Sequence, residues 1–105
     1  MSKAQRDKGV RGEREVRQRF ELSGFEPRGL EDTGDHLVVC SGGLTLHIES
    51  KRQETLRLDA WSRQAEAEAP QGTMPIVAYR RSREPWRVSM RLDDFLLLLP
   101  HADGR

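Results

Sequence analysis

The stretch GDHLVVCSGGLTLHIESK, residues 34–51, decides the fold of this chain because it carries the pattern of a β-hairpin. Residues 35–40 and 44–49 are rich in strand-forming side chains, and the Ser-Gly-Gly sequence at 41–43 between them is typical of a tight turn. In the second segment apolar and polar residues alternate, so that strand has one apolar and one polar face. The stretch therefore predicts two antiparallel strands, the second of them half-buried.

The polar face of this hairpin gathers charged side chains. Glu49 lies on it, and Lys51 joins Glu49 if the strand extends two residues further. A turn centred on Gly42 also sets Asp35 directly opposite Glu49, with Cβ atoms about 5 Å apart. A register slip of one residue, or a bulge, would break this alignment. The hairpin thus predicts two carboxylates and one ammonium group on a single face of a sheet.

Two carboxylates at this spacing suit a divalent cation such as Mg²⁺, whose coordination is completed by waters and phosphate oxygens. Such an ion activates water and orients a scissile phosphate, and a lysine beside it can position the attacking water. A solvated strand edge is the alternative, although neighbouring carboxylates repel each other when no cation is present. His47 shares the polar face but is not expected to be a ligand, and His36 is expected to be structural on the apolar face.

Composition sets bounds on the whole chain. Its 105 residues predict one domain, 1–105, with a modest core and flexible ends at 1–7 and 101–105. The net charge of +1 neither requires nor excludes a nucleic-acid partner, because the distribution of charge matters more. Cys40 is the single cysteine, which excludes a disulfide framework and favours a cytoplasmic location. A bacterium or a phage-infected host is the expected source, because a small chain that stands alone suits either. No apolar run is long enough to cross a membrane.

A helix is predicted at 9–23, where breakers are few and a glycine follows. Val16 and Phe20 share one face of it, and Glu13 lies on the same stripe. An acid on an apolar stripe is costly unless something pairs with it. An ion pair with Arg17, a wet edge of the stripe, or a role in the site would each explain it.

The remaining segments complete an α/β pattern. They are, in chain order, an edge strand at 25–30, a helix at 60–69 capped by Asp59, a strand at 74–79, a partner strand at 86–90, and a final helix beginning at Asp93 or Asp94. Trp61 and Ala65 face the sheet, while Gln64 beside them is a surface residue or a helper of the site. Trp86 is expected in the core or at its rim. Four leucines, 96–99, indicate core packing or a twofold dimer interface.

The order of these motifs resembles that of the PD-(D/E)XK nuclease superfamily and, more narrowly, of the archaeal-type Holliday junction resolvases. The matching residues are Lys8-Gly9, Glu13-Arg14-Glu15, Gly24-Phe25, Gly34-Asp35, Ile48-Glu49-Ser50-Lys51, Pro75-Ile76-Val77-Ala78 and Trp86-Arg87-Val88. The Glu-x-Lys core is short and weak alone, but the surrounding motifs make the match more specific. Gly34 stands where the family usually has a proline, and residues 51–61 do not match well.

The resemblance implies a restriction-endonuclease-like α/β fold, a mixed sheet in the order αβββαβ flanked by helices. It makes Asp35 and Glu49 metal ligands, the backbone carbonyl of Ser50 a further ligand, and Lys51 the catalytic lysine. Glu13 matches the helix acid that completes such sites, as a catalytic residue that binds the metal directly or through a water. The expected ion is Mg²⁺, with Mn²⁺ as a substitute.

DNA is the partner that the resemblance implies. We expect Lys8, Arg11, Arg14 and Arg52 to contact DNA phosphates beside the site, although such charges are more often a solvated face. No base-reading motif is evident, which favours recognition of DNA shape over sequence.

Three functions remain open at this point. The first is a metal-dependent, structure-selective endodeoxyribonuclease that resolves four-way (Holliday) junctions by paired nicking, as a homodimer. The second is a repair-type or restriction-type nuclease on the same fold, and the third is a non-catalytic DNA-binding module. The short chain favours the first function, and the intact set of Asp35, Glu49 and Lys51 argues against the third.

Overall fold

One mixed sheet of five strands, with three helices, makes up the computed structural model, which describes residues 2–30 and 34–100. The elements are α1 (Lys3–Leu22), β1 (Arg28–Gly29), β2 (His36–Val39), β3 (Thr45–Arg52), α2 (Leu58–Glu68), β4 (Thr73–Arg80), β5 (Arg87–Ser89) and α3 (Leu92–Leu98). The predicted order αβββαβ is therefore confirmed, followed by one more strand and one more helix. In the described part of the chain no helix is both long enough and apolar enough to span a bilayer.

The strands lie in the order β1-β2-β3-β4-β5. Strands β1, β2 and β3 form an antiparallel meander, and β4 runs parallel to β3 after the crossover through α2. Strand β5 returns antiparallel to β4, as its pattern predicted. Because β3 and β4 are central and parallel, both faces of these strands need cover, and the two long helices provide it.

The register of the β2–β3 hairpin is the one that the glycine turn predicted. His36 lies opposite Ile48, and Val39 lies opposite Thr45. The turn needs glycines at two positions, since Gly42 and Gly43 have φ values of 84° and 81°. Asp35 precedes the first pair of this ladder, so the start of β2 meets the middle of β3 where the acids are.

The core has two layers. On one face of the sheet, α1 covers a cluster of seven buried residues: Val16, Val38, Leu46, Ile48, Met74, Ile76 and Ala78. On the other face, α2 covers a smaller cluster of three: Trp61, Ala65 and Val77. The expectation that Trp61 and Ala65 face the sheet is confirmed, and His36 is buried on the α1 face as predicted. The α2 face is the one that carries His47 and Glu49.

Helix starts differ most from the predictions. Helix α1 begins at Lys3 rather than at residue 9, because Ser2 and Gln5 form a reciprocal capping box, so residues 3–7 are helical where flexibility was expected. The predicted cap of α2 is wrong, since Arg57 holds the N-cap position and Asp59 lies inside the first turn. There Asp59 still interacts favourably with the helix dipole.

Two further boundaries need correction. The edge strand predicted at 25–30 shortens to Arg28–Gly29, because Pro27 has no amide hydrogen to donate to a ladder. Helix α3 begins at Leu92 after Arg91, with the expected capping acids Asp93 and Asp94 in its first turn. The predicted flexible segment 101–105 lies outside the described residues.

Core packing accounts for only part of the leucine run. Leu98 packs against the α1-face cluster, whereas Leu96 and Leu97 are 54% and 64% exposed. Phe95 of the same helix is also exposed. Helix α3 therefore carries an apolar surface that residues 2–30 and 34–100 do not cover.

Candidate functional site

Three carboxylates meet at the carboxyl-terminal part of β3. Asp35, Glu49 and Glu68 each offer an oxygen, and these oxygens lie within 4.8 Å of one another. Asp35 and Glu49 are 8% and 3% exposed, while Glu68, the last residue of α2, is exposed. The structure thus brings together the two acids that the hairpin register predicted and adds a third from the crossover helix.

The Glu49 carboxyl is held away from water without full hydrogen bonding. Its Oε2 atom is buried and has no hydrogen-bond partner among the described residues. The pKa of Glu49 is raised to about 7, first by burial and then by a hydrogen bond with Glu68 and repulsion from Asp35, while Lys51 acts in the opposite direction. The same hydrogen bond lowers the pKa of the exposed Glu68. Of the two acids, Glu49 is therefore the one that keeps a proton to higher pH.

Lys51 and Ser50 follow Glu49 on β3. Lys51 is half-buried, and strand alternation sets it on the same face as Glu49, as predicted. Ser50 lies opposite Ala78 in the β3–β4 ladder. The role of the Ser50 carbonyl as a ligand stays a prediction.

Glu13 approaches the site from α1. Its carboxylate lies against Gly34, where a Cβ atom would come within 2.3 Å of Glu13 Oε1. Gly34 also has a φ of +75°, a value closed to proline, whose ring fixes φ near −65°. A glycine at this position, where the family usually has a proline, therefore allows both this backbone angle and the close approach of Glu13. Arg17 pairs with Glu21 at 3.6 Å, so the expected alternative of a Glu13–Arg17 pair is not what the structure has.

The electrostatics of Glu13 match its position. Burial raises the pKa of its carboxyl, and the neighbouring Asp35 raises it further. Glu13 is nevertheless not one of the three acids whose oxygens lie within 4.8 Å of one another. The predicted role of Glu13 at a metal site stays a prediction.

His47 lies on the predicted face of β3, but its burial and its contact with Asp35 were not predicted. Its side chain is 2% exposed, and Nε2 lies 3.3 Å from Asp35 Oδ2. The imidazole therefore restricts the orientations open to Asp35. His47 is not one of the three clustered acids, and its role toward a metal stays a prediction.

Glu68 is the other residue that the sequence analysis missed. Gln64 Nε2 donates a hydrogen bond to Glu68 Oε1 at 3.1 Å, which makes Gln64 a neighbour of the site rather than an isolated surface residue. A signal for Glu68 exists in the sequence. Trp61, Ala65 and Glu68 are spaced four and three residues apart, so Glu68 continues the stripe that faces the sheet.

An open cleft of about 1080 Å³ contains this site. Its acidic part includes Glu13, Asp35, Glu49 and Glu68. Its basic lining residues are Arg6, Lys8, Lys51, Arg52 and Arg57. Acids grouped beside basic residues in one cleft are the arrangement expected for a metal site that receives a phosphate.

The four predicted DNA-contact residues lie in different settings. Lys8 lines the cleft and forms an ion pair with Glu54, whereas Arg11 and Arg14 are exposed on α1. Arg52 lies under α1, with its Nε 3.8 Å from Glu15 Oε2, so part of its charge is already balanced. Their contact with DNA stays a prediction.

Trp86 lies at the rim of the core, as expected. Its indole Nε1 donates to Glu15 Oε1 at 3.1 Å, and the Arg80 guanidinium lies 5.6 Å from its ring centroid. These contacts tie the β4–β5 connection to α1, and they occupy the polar edge of the indole.

Comparison with known proteins finds solved structures of similar fold. No protein-family model matches the chain, and no curated protein matches it. The 1.6 Å structure of Archaeoglobus fulgidus Hjc, described as a Holliday junction resolvase from an archaeal hyperthermophile, superposes with a TM-score of 0.57. The two chains are 23% identical over 79% of this chain and 72% of that one. The chain has the resolvase fold. The fold implied by the sequence resemblance is thereby confirmed.

Proposed function

We propose that this protein is a metal-dependent, structure-selective DNA endonuclease that resolves four-way junctions. The observation that carries the proposal is the meeting of Asp35 and Glu49 in a cleft that is also lined by basic residues, with Lys51 on the same strand face. The similarity to a resolvase structure supports it, since the same fold surrounds the site. Hydrolysis of a phosphodiester is the reaction that these residue types serve.

The acids suit a divalent cation, Mg²⁺ with Mn²⁺ as a substitute. Glu49 has a buried oxygen without a hydrogen-bond partner among the described residues, and a cation would satisfy it. Asp35 and Glu49 would hold the ion, with the Ser50 carbonyl as a further ligand and Glu13 reached through a water. When bound, such an ion activates water and neutralises charge that develops on the phosphate.

The remaining chemistry belongs to the side chains. Lys51 presents an ammonium group beside Glu49, where it would orient the attacking water and attract a phosphate oxygen. His47 would keep the Asp35 carboxylate in the orientation that binds the ion. Cations of the cleft wall, Lys8 among them, would hold the DNA backbone, and Arg11 and Arg14 would extend this contact along α1.

A homodimer is part of the proposal. Paired nicking of a junction needs two sites that act on opposed strands, and a twofold dimer supplies them. The exposed leucines of α3 are the apolar surface available for such an interface. We place the enzyme in the cytoplasm, where its DNA substrate is found.

One assay tests the function. Labelled four-way junction, duplex and single-stranded DNA are incubated with the protein and Mg²⁺ or a chelator, next to Lys51→Ala and Asp35→Asn. Symmetric nicks that require Mg²⁺ and fall at least about 10³-fold in both variants support a resolvase. Equal cutting of plain duplex favours another nuclease on this fold. Tight binding without cutting under any divalent ion favours a DNA-binding module and overturns both enzyme proposals.

A further inference from the structure

Glu68 occupies a position that is unfavourable for an acid unless a cation is near. It is the last residue of α2, where the helix dipole presents its negative end. The last turn of α2 has no basic residue, and two further carboxylates, Asp35 and Glu49, are within 4.8 Å through their nearest oxygens. Lys51 supplies one positive charge beside three acids. An additional cation would remove this imbalance.

The neighbouring Glu49 gives independent evidence for a missing ligand. Its side chain is 3% exposed, and its Oε2 has no hydrogen-bond partner among the residues that the structure describes. A buried carboxylate oxygen normally accepts hydrogen bonds or binds a metal. Because Glu68 shares this corner of the cleft, an ion that satisfies Glu49 would also be in reach of Glu68.

Gln64 holds Glu68 in a suitable orientation. Its Nε2 donates to Oε1 of Glu68 at 3.1 Å, one helical turn away. That bond engages one carboxylate oxygen and restricts the rotation of the Glu68 side chain. An amide that fixes a ligand carboxylate is a common support of metal sites.

We propose that Glu68 is a third protein ligand of the divalent cation, positioned by Gln64. The inference rests on the proposed function, because it concerns the same ion. It adds a ligand that comes from α2 rather than from the hairpin or from α1. The ion would then join the end of α2 to the β2–β3 hairpin, so that binding of the ion also fastens the crossover helix to the sheet.

Mn²⁺ binding to Glu68→Gln is the test, and Glu66→Gln is the matched control. Glu66 is the same residue type on the same helix, but it is partnered by Arg91 at 3.9 Å, away from the cluster. Free Mn²⁺ is followed by electron paramagnetic resonance in a titration without DNA. We expect the affinity to fall about tenfold or more in Glu68→Gln and to stay unchanged in Glu66→Gln.

Two further measurements separate a ligand from a merely structural residue. In chelator, Glu68→Gln should unfold close to the wild-type urea concentration, since Glu68 is exposed and glutamine keeps an oxygen that can accept a hydrogen bond from Glu49. Glu68→Asp keeps the charge on a shorter side chain, and its Mn²⁺ affinity should lie between those of the wild type and Glu68→Gln. Loss of metal-free stability in step with Mn²⁺ affinity would overturn the proposal.

The outcomes also distinguish this inference from the proposed function. Equal Mn²⁺ affinity of Glu68→Gln and Glu66→Gln, with wild-type protein that binds Mn²⁺ and cuts junctions, overturns only the role of Glu68. Wild-type protein that neither binds Mn²⁺ nor cuts any DNA overturns the proposed function and this inference together. Weakened Mn²⁺ binding confined to Glu68→Gln supports the third ligand.

Discussion

Helices α1 and α2 cover opposite faces of the sheet, and the side chains beneath them differ in kind. Seven apolar residues are buried under α1, with His36 at the edge of that face, whereas three are buried under α2 beside His47 and Glu49. The α1 face thus gives most of the apolar burial, and the α2 face combines a small core with buried ionisable groups. Stability and the site are therefore supplied largely by different faces of the same strands.

The largest expected effect concerns the α1 face. Leu46→Ala should lower the free energy of unfolding by about 2–5 kcal/mol, because it opens a cavity in the larger cluster. Urea unfolding followed by circular dichroism measures the change. Mn²⁺ affinity of the folded variant should equal that of the wild type. A large loss of Mn²⁺ affinity would show that the two faces are not separable.

On the α2 face, removing the charge of Glu49 should raise the free energy of unfolding rather than lower it. The pKa of Glu49 is about 7 in the folded protein, against an ordinary value of 4.5, so between these pH values the folded state keeps a proton that the unfolded chain releases. The resulting stability is complete below pH 4.5 and is lost as the pH rises through 7. At most about 3 kcal/mol is involved, and the opposite pKa shift of Glu68 offsets part of it.

Glu49→Gln should therefore be more stable than the wild type at pH 8 in chelator, and its stability should vary less between pH 5 and 8. Urea unfolding at several pH values provides the measurement. Glu66→Gln, on an exposed part of α2, should follow the wild-type curve. Identical pH profiles for wild type and Glu49→Gln would contradict the assigned burial of this carboxyl.

A smaller effect is expected where α1 reaches the site. Gly34→Ala should destabilise the protein by about 2 kcal/mol, since φ is +75° and the new methyl group would meet the Glu13 carboxylate. Gly42→Ala is the control, with a φ of +84° and no atom within 4 Å of the added methyl, and should cost about 1 kcal/mol. Adding Glu13→Ala to Gly34→Ala should reduce the loss to the level of Gly42→Ala. Equal losses for both glycines would mean that Glu13 does not press on this turn.

The smallest effect compares the two buried histidines. His47→Leu should weaken Mn²⁺ binding about tenfold, because Asp35 loses the group that limits its orientation, and His47→Gln should recover part of the affinity. His36 is a buried histidine on the opposite face of the sheet, so His36→Leu is a matched control and should leave the Mn²⁺ affinity unchanged. Calorimetric titration with Mn²⁺ measures all three. Similar losses in both leucine variants would reduce the role of His47 to packing.

Much of the fold follows from local signals. The short glycine turn determined the hairpin register, and with it the meeting of Asp35 and Glu49, because one turn length allows one alignment. The start of α1 was missed because the capping pair, Ser2 and Gln5, precedes the apolar stripe on which the prediction relied. The start of α2 was misplaced because Asp59 is a good cap in isolation, whereas the helix begins at Leu58 with Arg57 as its N-cap.

The site was predicted less completely than the strands that carry it. Glu13 emerged from helical spacing, and the same spacing would have identified Glu68 had it been applied to α2. The burial of His47 could not be read from its strand, since alternation places it on a polar face and only the packing of α2 covers that face. The exposed leucines of α3 likewise depend on what covers the helix, which sequence pattern alone does not specify.

The ion pair between Lys8 and Glu54 should change how the affinity of the proposed DNA binding depends on salt concentration. Glu54 also accepts hydrogen bonds from the amide and hydroxyl of Ser82, at 3.3 and 2.9 Å. The hydrogen bond from Lys8, together with those from Ser82, lowers the pKa of Glu54 to about 2. The Glu54 carboxylate thus already neutralises the charge of Lys8. A lysine paired in this way neutralises less phosphate charge, so fewer of the counterions condensed on the DNA are released. Association through this wall of the cleft should be less sensitive to ionic strength than a count of its cations implies.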